Sequence, residues 1–79
     1  MTLAEMPIAG RGRVREMALP PDTHQRLMEM GLTRGATIEV VRYAPMGDPI
    51  EIRVRGYHLS LRRSEAAGIS IDQLPLHRR

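Results

Sequence analysis

Residues 50–61 constrain the fold of this chain more than any other stretch. Ile50, Ile52 and Val54 alternate with Glu51, Arg53 and Arg55, and Tyr57, Leu59 and Leu61 alternate with His58, Ser60 and Arg62. A two-residue turn at Arg55-Gly56 pairs Val54 with Tyr57, Ile52 with Leu59 and Ile50 with Leu61. Both apolar sets then land on one face, and a slip of one residue would turn every side chain over. A lone hairpin is at best marginally stable in water. The rest of the chain must therefore supply more strands and a cover for this face.

Four further segments answer that need. Arg13–Met17 reads as a first strand with Val14 as its core residue, preceded by a turn in which Gly10 and Gly12 flank Arg11. Pro20-Pro21 ends it. Asp22–Met30 is the helix, with Asp22 as cap and Gln25 able to reciprocate. Gly31 falls at C′ and Leu32 at C″, where it packs back on Leu27. At about two and a half turns this helix is too short to stand alone. Thr37–Tyr43 is a strand in which Ile38 and Val40 share one phase, while Val41 and Tyr43 fall in the other, the mark of a bulge or a barrel corner. Ser64–Ala67 reads as one helical turn and Ile69–Ile71 as a last strand. Thr2 and Glu5 have the spacing of a capping box at the start. Gly31, Gly35, Gly47 and Gly56 sit where turns need positive φ.

The expected fold is mainly β, a small SH3-like β-barrel of about five strands. One short α-helix lies between strands 1 and 2, and a helical turn precedes the last strand. The domain is expected over residues 1–72, with 73–79 as a flexible tail.

At 79 residues the chain has room for one domain with a thin core. It has no Cys, Phe or Trp and two Tyr. Thiolate metal sites, disulfides and cysteine nucleophiles are excluded, and stacking platforms for bases lack their rings. No P-loop spacing is present, so the chain itself is not expected to bind GTP. Ser60, Ser64 and Ser70 have no paired His and acid, and the chain is read as non-enzymatic. His24, His58 and His77 share no metal-ligand spacing. Met6, Met17, Met28, Met30 and Met46 are read as packing or contact residues rather than thioether ligands. No metal and no cofactor is therefore expected. The net charge of +3 is carried entirely by arginine. With carboxylates interspersed, nucleic-acid binding is the disfavoured rival. No membrane-spanning run or signal peptide is visible, and a cytoplasmic location is expected.

Three motifs, in order, resemble the FeoA (ferrous iron transport protein A) family. They are Arg26–Gly35 (RLMEMGLTRG), Ala44–Ile50 (APMGDPI) and Val54–Ala66 (VRGYHLSLRRSEA), with Ile69–Ile71 as the closing strand. Met30 and Ser60 stand where the family often has Leu or Ala. The likeness covers about residues 2–72. It implies a cytosolic SH3-like accessory domain that accompanies FeoB, a membrane ferrous-iron transporter with a cytosolic GTP-binding domain. The alternative is a free-standing SH3-like regulatory module that binds nucleic acid or another protein.

The expected contact surface is the helix end and the loop that follows strand 2. On an ideal helix Met28 and Met30 cannot both face the same way as Leu27, so apolar surface is left over there. Met46 rides on a Pro-bounded turn. Asp48, beside Gly47 and Pro49, suits an Asx-type hydrogen bond that holds that loop. The candidate partner-binding residues are Leu27, Met28, Met30, Leu32, Met46 and Asp48.

Overall fold

A computed structural model of the chain describes residues 1–75. The hairpin forms in the expected register. Strands β3 (Ile50–Val54) and β4 (Tyr57–Leu61) pair Val54 with Tyr57, Ile52 with Leu59 and Ile50 with Leu61. Arg55 (φ 50°) and Gly56 (φ 87°) make the turn, with the positive angles at both central residues that suit right-twisted strands.

The remaining strands are β1 (Arg11–Met17), β2 (Thr37–Tyr43) and β5 (Ile69–Gln73). All neighbours are antiparallel, in the order β4-β3-β2-β1-β5. The two outer strands are not paired with each other, so the expected barrel is an open, curled sheet. The bulge expected in the second strand lies at Val41, between the pairs of Val40 and Arg42. A second bulge, not foreseen, lies at Arg15. The outer edge of β5 is taken by the start of the chain: Thr2 bridges Ser70, and the Ile71 N–H donates to the Met1 carbonyl at 2.8 Å. An edge so covered offers no row of open backbone groups to another strand.

The alternating apolar residues all point inward. Val14, Ile38, Val40, Ile50, Ile52, Val54, Leu61, Ile69 and Ile71 are buried, each contributing about 1.5–3 kcal/mol of burial. Leu3 and Met6, on and just after a 3-10 turn (Leu3–Glu5), close one end of this core. The Glu5 carboxylate accepts the Thr2 N–H at 2.8 Å, the reciprocal arm of the expected capping box.

Helix α1 (Pro21–Glu29) begins one residue earlier than expected, with Pro20 at the N-cap and Pro21 at N1. Proline suits N1 because the first turn has no use for its N–H. Asp22 is thus inside the helix and accepts the Thr23 N–H rather than capping, and Gln25 bonds Glu29 instead of reaching back. Helix α2 (Arg63–Ala66) is the expected single turn.

The Gly10–Gly12 turn is also corrected. The turn is Pro7–Gly10, with Ala9 at φ 71°. Gly12 belongs to β1, where a Cβ would collide with the Ile71 side chain and approach the Asp72 carbonyl to 3.2 Å. The glycine is there for close approach of two strands, not for a bend. At the other end β5 runs to Gln73, and the Leu74 N–H donates to the Arg11 carbonyl at 2.8 Å. The first residues of the expected tail are therefore attached to the sheet, while His77 and the rest of it from 76 lie outside the described residues.

Candidate partner-binding surface

The end of α1 is built around a Schellman turn. The Leu32 N–H donates to the Leu27 carbonyl at 3.0 Å and the Gly31 N–H to the Met28 carbonyl at 3.0 Å, with Gly31 at φ 95°. This is the arrangement anticipated from Gly31 and Leu32, and it satisfies carbonyls that a helix end leaves open. Its apolar contact draws Leu27 and Leu32 fully into the core. Neither can touch a partner without unfolding the helix end, so both leave the set of candidate contact residues.

Met28 and Met30 remain outside, 42% and 37% exposed. Met28 lines a shallow cleft with Glu16, Met17, His24 and Arg34. His24 and Met28 are one turn apart on α1 and so share a face.

Two residues complete this end of the molecule that local patterning did not single out. Tyr57, placed on the core face by its phase, is 47% exposed, and its hydroxyl donates to the Met30 carbonyl. Arg55 donates from Nε to the Gly31 carbonyl and from a terminal nitrogen to Thr33 Oγ1, both at 2.9 Å. The hairpin tip overhangs the core, so the tyrosine ring is only partly covered and its hydroxyl turns to the nearest open acceptor. A guanidinium beside helix carbonyls also opposes the negative end of the helix dipole. The signal for this clamp was present in the side-chain types, but the partners are more than twenty residues away along the chain.

The loop after β2 presents Met46, which is 92% exposed. Asp48 does not close an Asx turn within the loop. Its carboxylate accepts the Arg63 N–H at 2.9 Å, the first amide of α2, where a negative charge is favoured. Arg63 returns a contact to the Gly47 carbonyl at 3.4 Å. Asp48 also lines a cleft with Arg26, Ser60 and Glu65. Across that cleft Arg26 pairs with Glu65 at 2.6 Å, tying α1 to α2. Asp48 thus holds the loop in place while Met46 projects from it.

Among the described residues no three His, Cys, Asp or Glu side chains come together as a metal site. His58 is exposed on the outer side of β4, and His24 sits on α1, so the two imidazoles are on different elements. Among the described residues no helix is long and apolar enough to cross a membrane.

The FeoA domain model matches residues 1–73. The chain is 40% identical over 65 residues to the Fe(2+) transport protein A/Fe(2+) transporter FeoB fusion protein of Porphyromonas gingivalis. That match takes in 82% of this chain and 7% of the fusion protein, so the chain spans a small fraction of this curated relative's length. The solution structure of the FeoA protein from Chlorobium tepidum superposes with a TM-score of 0.92 at 44% identity, over 95% of this chain and 71% of that one. FeoA of Stenotrophomonas maltophilia, solved as a zinc complex and described as a prokaryotic SH3 domain protein, superposes with a TM-score of 0.75 at 29% identity, over 91% of this chain and 89% of that one. With a family model matched over residues 1–73 and these relatives in sequence and structure, the chain belongs to the FeoA domain family.

Proposed function

We propose that this chain is a non-enzymatic accessory domain of ferrous iron uptake that binds the cytosolic part of a FeoB-type transporter. The observation that carries this reading is the Porphyromonas gingivalis relative, in which a matching segment and an Fe(2+) transporter share one polypeptide. Fusion of two proteins is the limiting case of their association, since it fixes a high effective concentration. The surface left for such contact comprises Met28 and Met30 at the end of α1 and Met46 on the loop. Methionine is suited to it because its unbranched thioether adapts to the partner's shape. Leu27, Leu32 and Asp48 support that surface from behind: the leucines anchor the helix end, and Asp48 fixes the loop.

The test is titration of the protein against the cytosolic GTP-binding domain of the cognate transporter, at low and high salt, with and without nucleotide. A complex carried by apolar contacts survives high salt. Met28→Asp with Met30→Asp is expected to weaken it at least tenfold while leaving the thermal melt within a few degrees of the parent. Absence of binding under every condition overturns the proposed contact with that domain.

A further inference from the structure

We propose that the open edge of β4 takes an extended, acid-flanked segment of the transporter's cytosolic part as a further strand of the sheet. The two edges of the sheet differ. β5 is covered by the start of the chain, through the Thr2–Ser70 bridge and the bond from the Ile71 N–H to the Met1 carbonyl. β4 ends the strand order on the other side and pairs with β3 alone.

Register shows which groups are open. The tight turn at Arg55-Gly56 aims the backbone groups of Tyr57, Leu59 and Leu61 at β3, and those of His58 and Ser60 away from it. Neither His58 nor Ser60 has a backbone partner for these groups among the described residues. Natural edge strands are blunted by charge, proline, a bulge or a cover. Tyr57–Leu61 contains no Asp, Glu, Lys, Arg or Pro, and its pairing with β3 has no bulge. Shortness is no substitute, since β5 is also five residues long and is covered nonetheless. The core is less sealed at this border as well. Leu59 is 8% exposed, where Ile69 and Ile71 of β5 are at 0% and 2%.

Charge selects the occupant. Residues 53–64 hold four arginines and no carboxylate. Arg53 is balanced by Glu39 at 2.9 Å. Arg55 and Arg63 reach backbone carbonyls, which do not neutralise them. Arg62 is exposed and has no ion pair among the described residues. A second copy paired here would lay two such segments side by side, and like charges across strands are destabilising. A segment with apolar residues at alternate positions and carboxylates at its ends instead meets Tyr57 and Leu59 with the former and Arg62 with the latter. In this mode main-chain bonds supply affinity and alternate side chains supply specificity. Assigning the segment to the transporter rests on the reading above. Its position agrees: Tyr57, at the start of β4, bonds the Met30 carbonyl, and the Arg63 N–H, just past its end, donates to Asp48 of the Met46 loop. One strand laid along β4 therefore runs between the exposed methionine sites.

Amide hydrogen exchange of the full chain, alone and with an excess of the cognate transporter's cytosolic GTP-binding domain, tests this. Amides without a partner exchange nearly as in a free chain, so general stabilisation leaves them fast. The His58 and Ser60 amides are expected to slow about tenfold or more in the complex. Ser60→Pro removes an N–H that the hairpin does not use, a change an edge strand tolerates. It is expected to weaken binding about tenfold or more, with the thermal melt within a few degrees of the parent. Ser60→Thr keeps the N–H and is expected to bind as the parent does. Arg62→Glu is expected to weaken binding several-fold at low salt and less at high salt. A complex in which both amides stay fast, or parental binding by Ser60→Pro or Arg62→Glu, overturns this proposal and leaves the transporter reading standing. Absence of a complex under every condition overturns both. Slowing of the two amides in the protein alone, growing with its own concentration, also overturns the proposal, since a second copy would then hold the edge.

Discussion

The two sides of the same five strands obey different rules. Inward, most alternate residues are aliphatic and sealed from water, and they form one core cluster with Leu3, Met6, Leu27, Leu32 and Ala66. Outward, the intervening positions carry arginine, glutamate, threonine and serine, and the ion pairs among them are partly exposed. The inner face holds the fold and tolerates little change. The outer face contributes little to stability and is therefore open to a binding role. This division gives a ranking of substitutions, and each rank can break it.

The largest effect is expected inside. Leu27→Ala removes a fully buried side chain from both the core and the Schellman turn, at a cost of about 2–5 kcal/mol. For a domain with about 5 kcal/mol in hand, urea unfolding should show most of its stability gone. A loss under about 1 kcal/mol would mean that the helix end is not part of the core. Gly12→Ala comes next. Its methyl group would press on Ile71 and the Asp72 carbonyl, costing about 1–3 kcal/mol, and the amide resonances of β5 should shift with it.

Between inside and outside stands Tyr57→Phe. The ring stays, but the Met30 carbonyl loses its donor, and about 1 kcal/mol should follow. Faster hydrogen exchange at Gly31 and Leu32, without change in the strands, would sharpen the comparison by showing a helix end that opens separately. At the bottom lies Arg53→Ala. Its pair with Glu39 is partly exposed on both sides, so a double-mutant cycle with Glu39→Ala should return less than about 1 kcal/mol, shrinking with salt. A coupling comparable to the Leu27→Ala loss would refute the idea that the outer face is energetically light.

The same division decides what the sequence reveals. Inward-facing residues follow local periodicity, so the register of β3 and β4, the bulge at Val41 and the packing of Leu32 on Leu27 could all be read from spacing. Gly12 could not, because its reason is Ile71 on a strand that arrives nearly sixty residues later. Tyr57 shows the limit of phase: it alternates correctly with Leu59, yet the strand outruns the core at that point. Of the candidate contact residues, Leu27 and Leu32 failed for the reason that made their packing predictable, since a side chain committed to a helix-end contact is buried by it. Met28, Met30 and Met46 are exposed as expected. Asp48 proved to be a remote cap for α2, a role that depends on where the chain returns.

The bridge between Thr2 and Ser70 has a consequence for how this module can be joined to others. The opening residues run antiparallel to β5, with Met1 opposite Ile71. The chain therefore enters and leaves the fold at neighbouring points on one corner. A domain with its entry and exit side by side can be appended to either end of another polypeptide, or spliced into one of its loops, without a strand being pulled out of place. The fused relative has solved such a joining problem, and this architecture makes the solution geometrically undemanding.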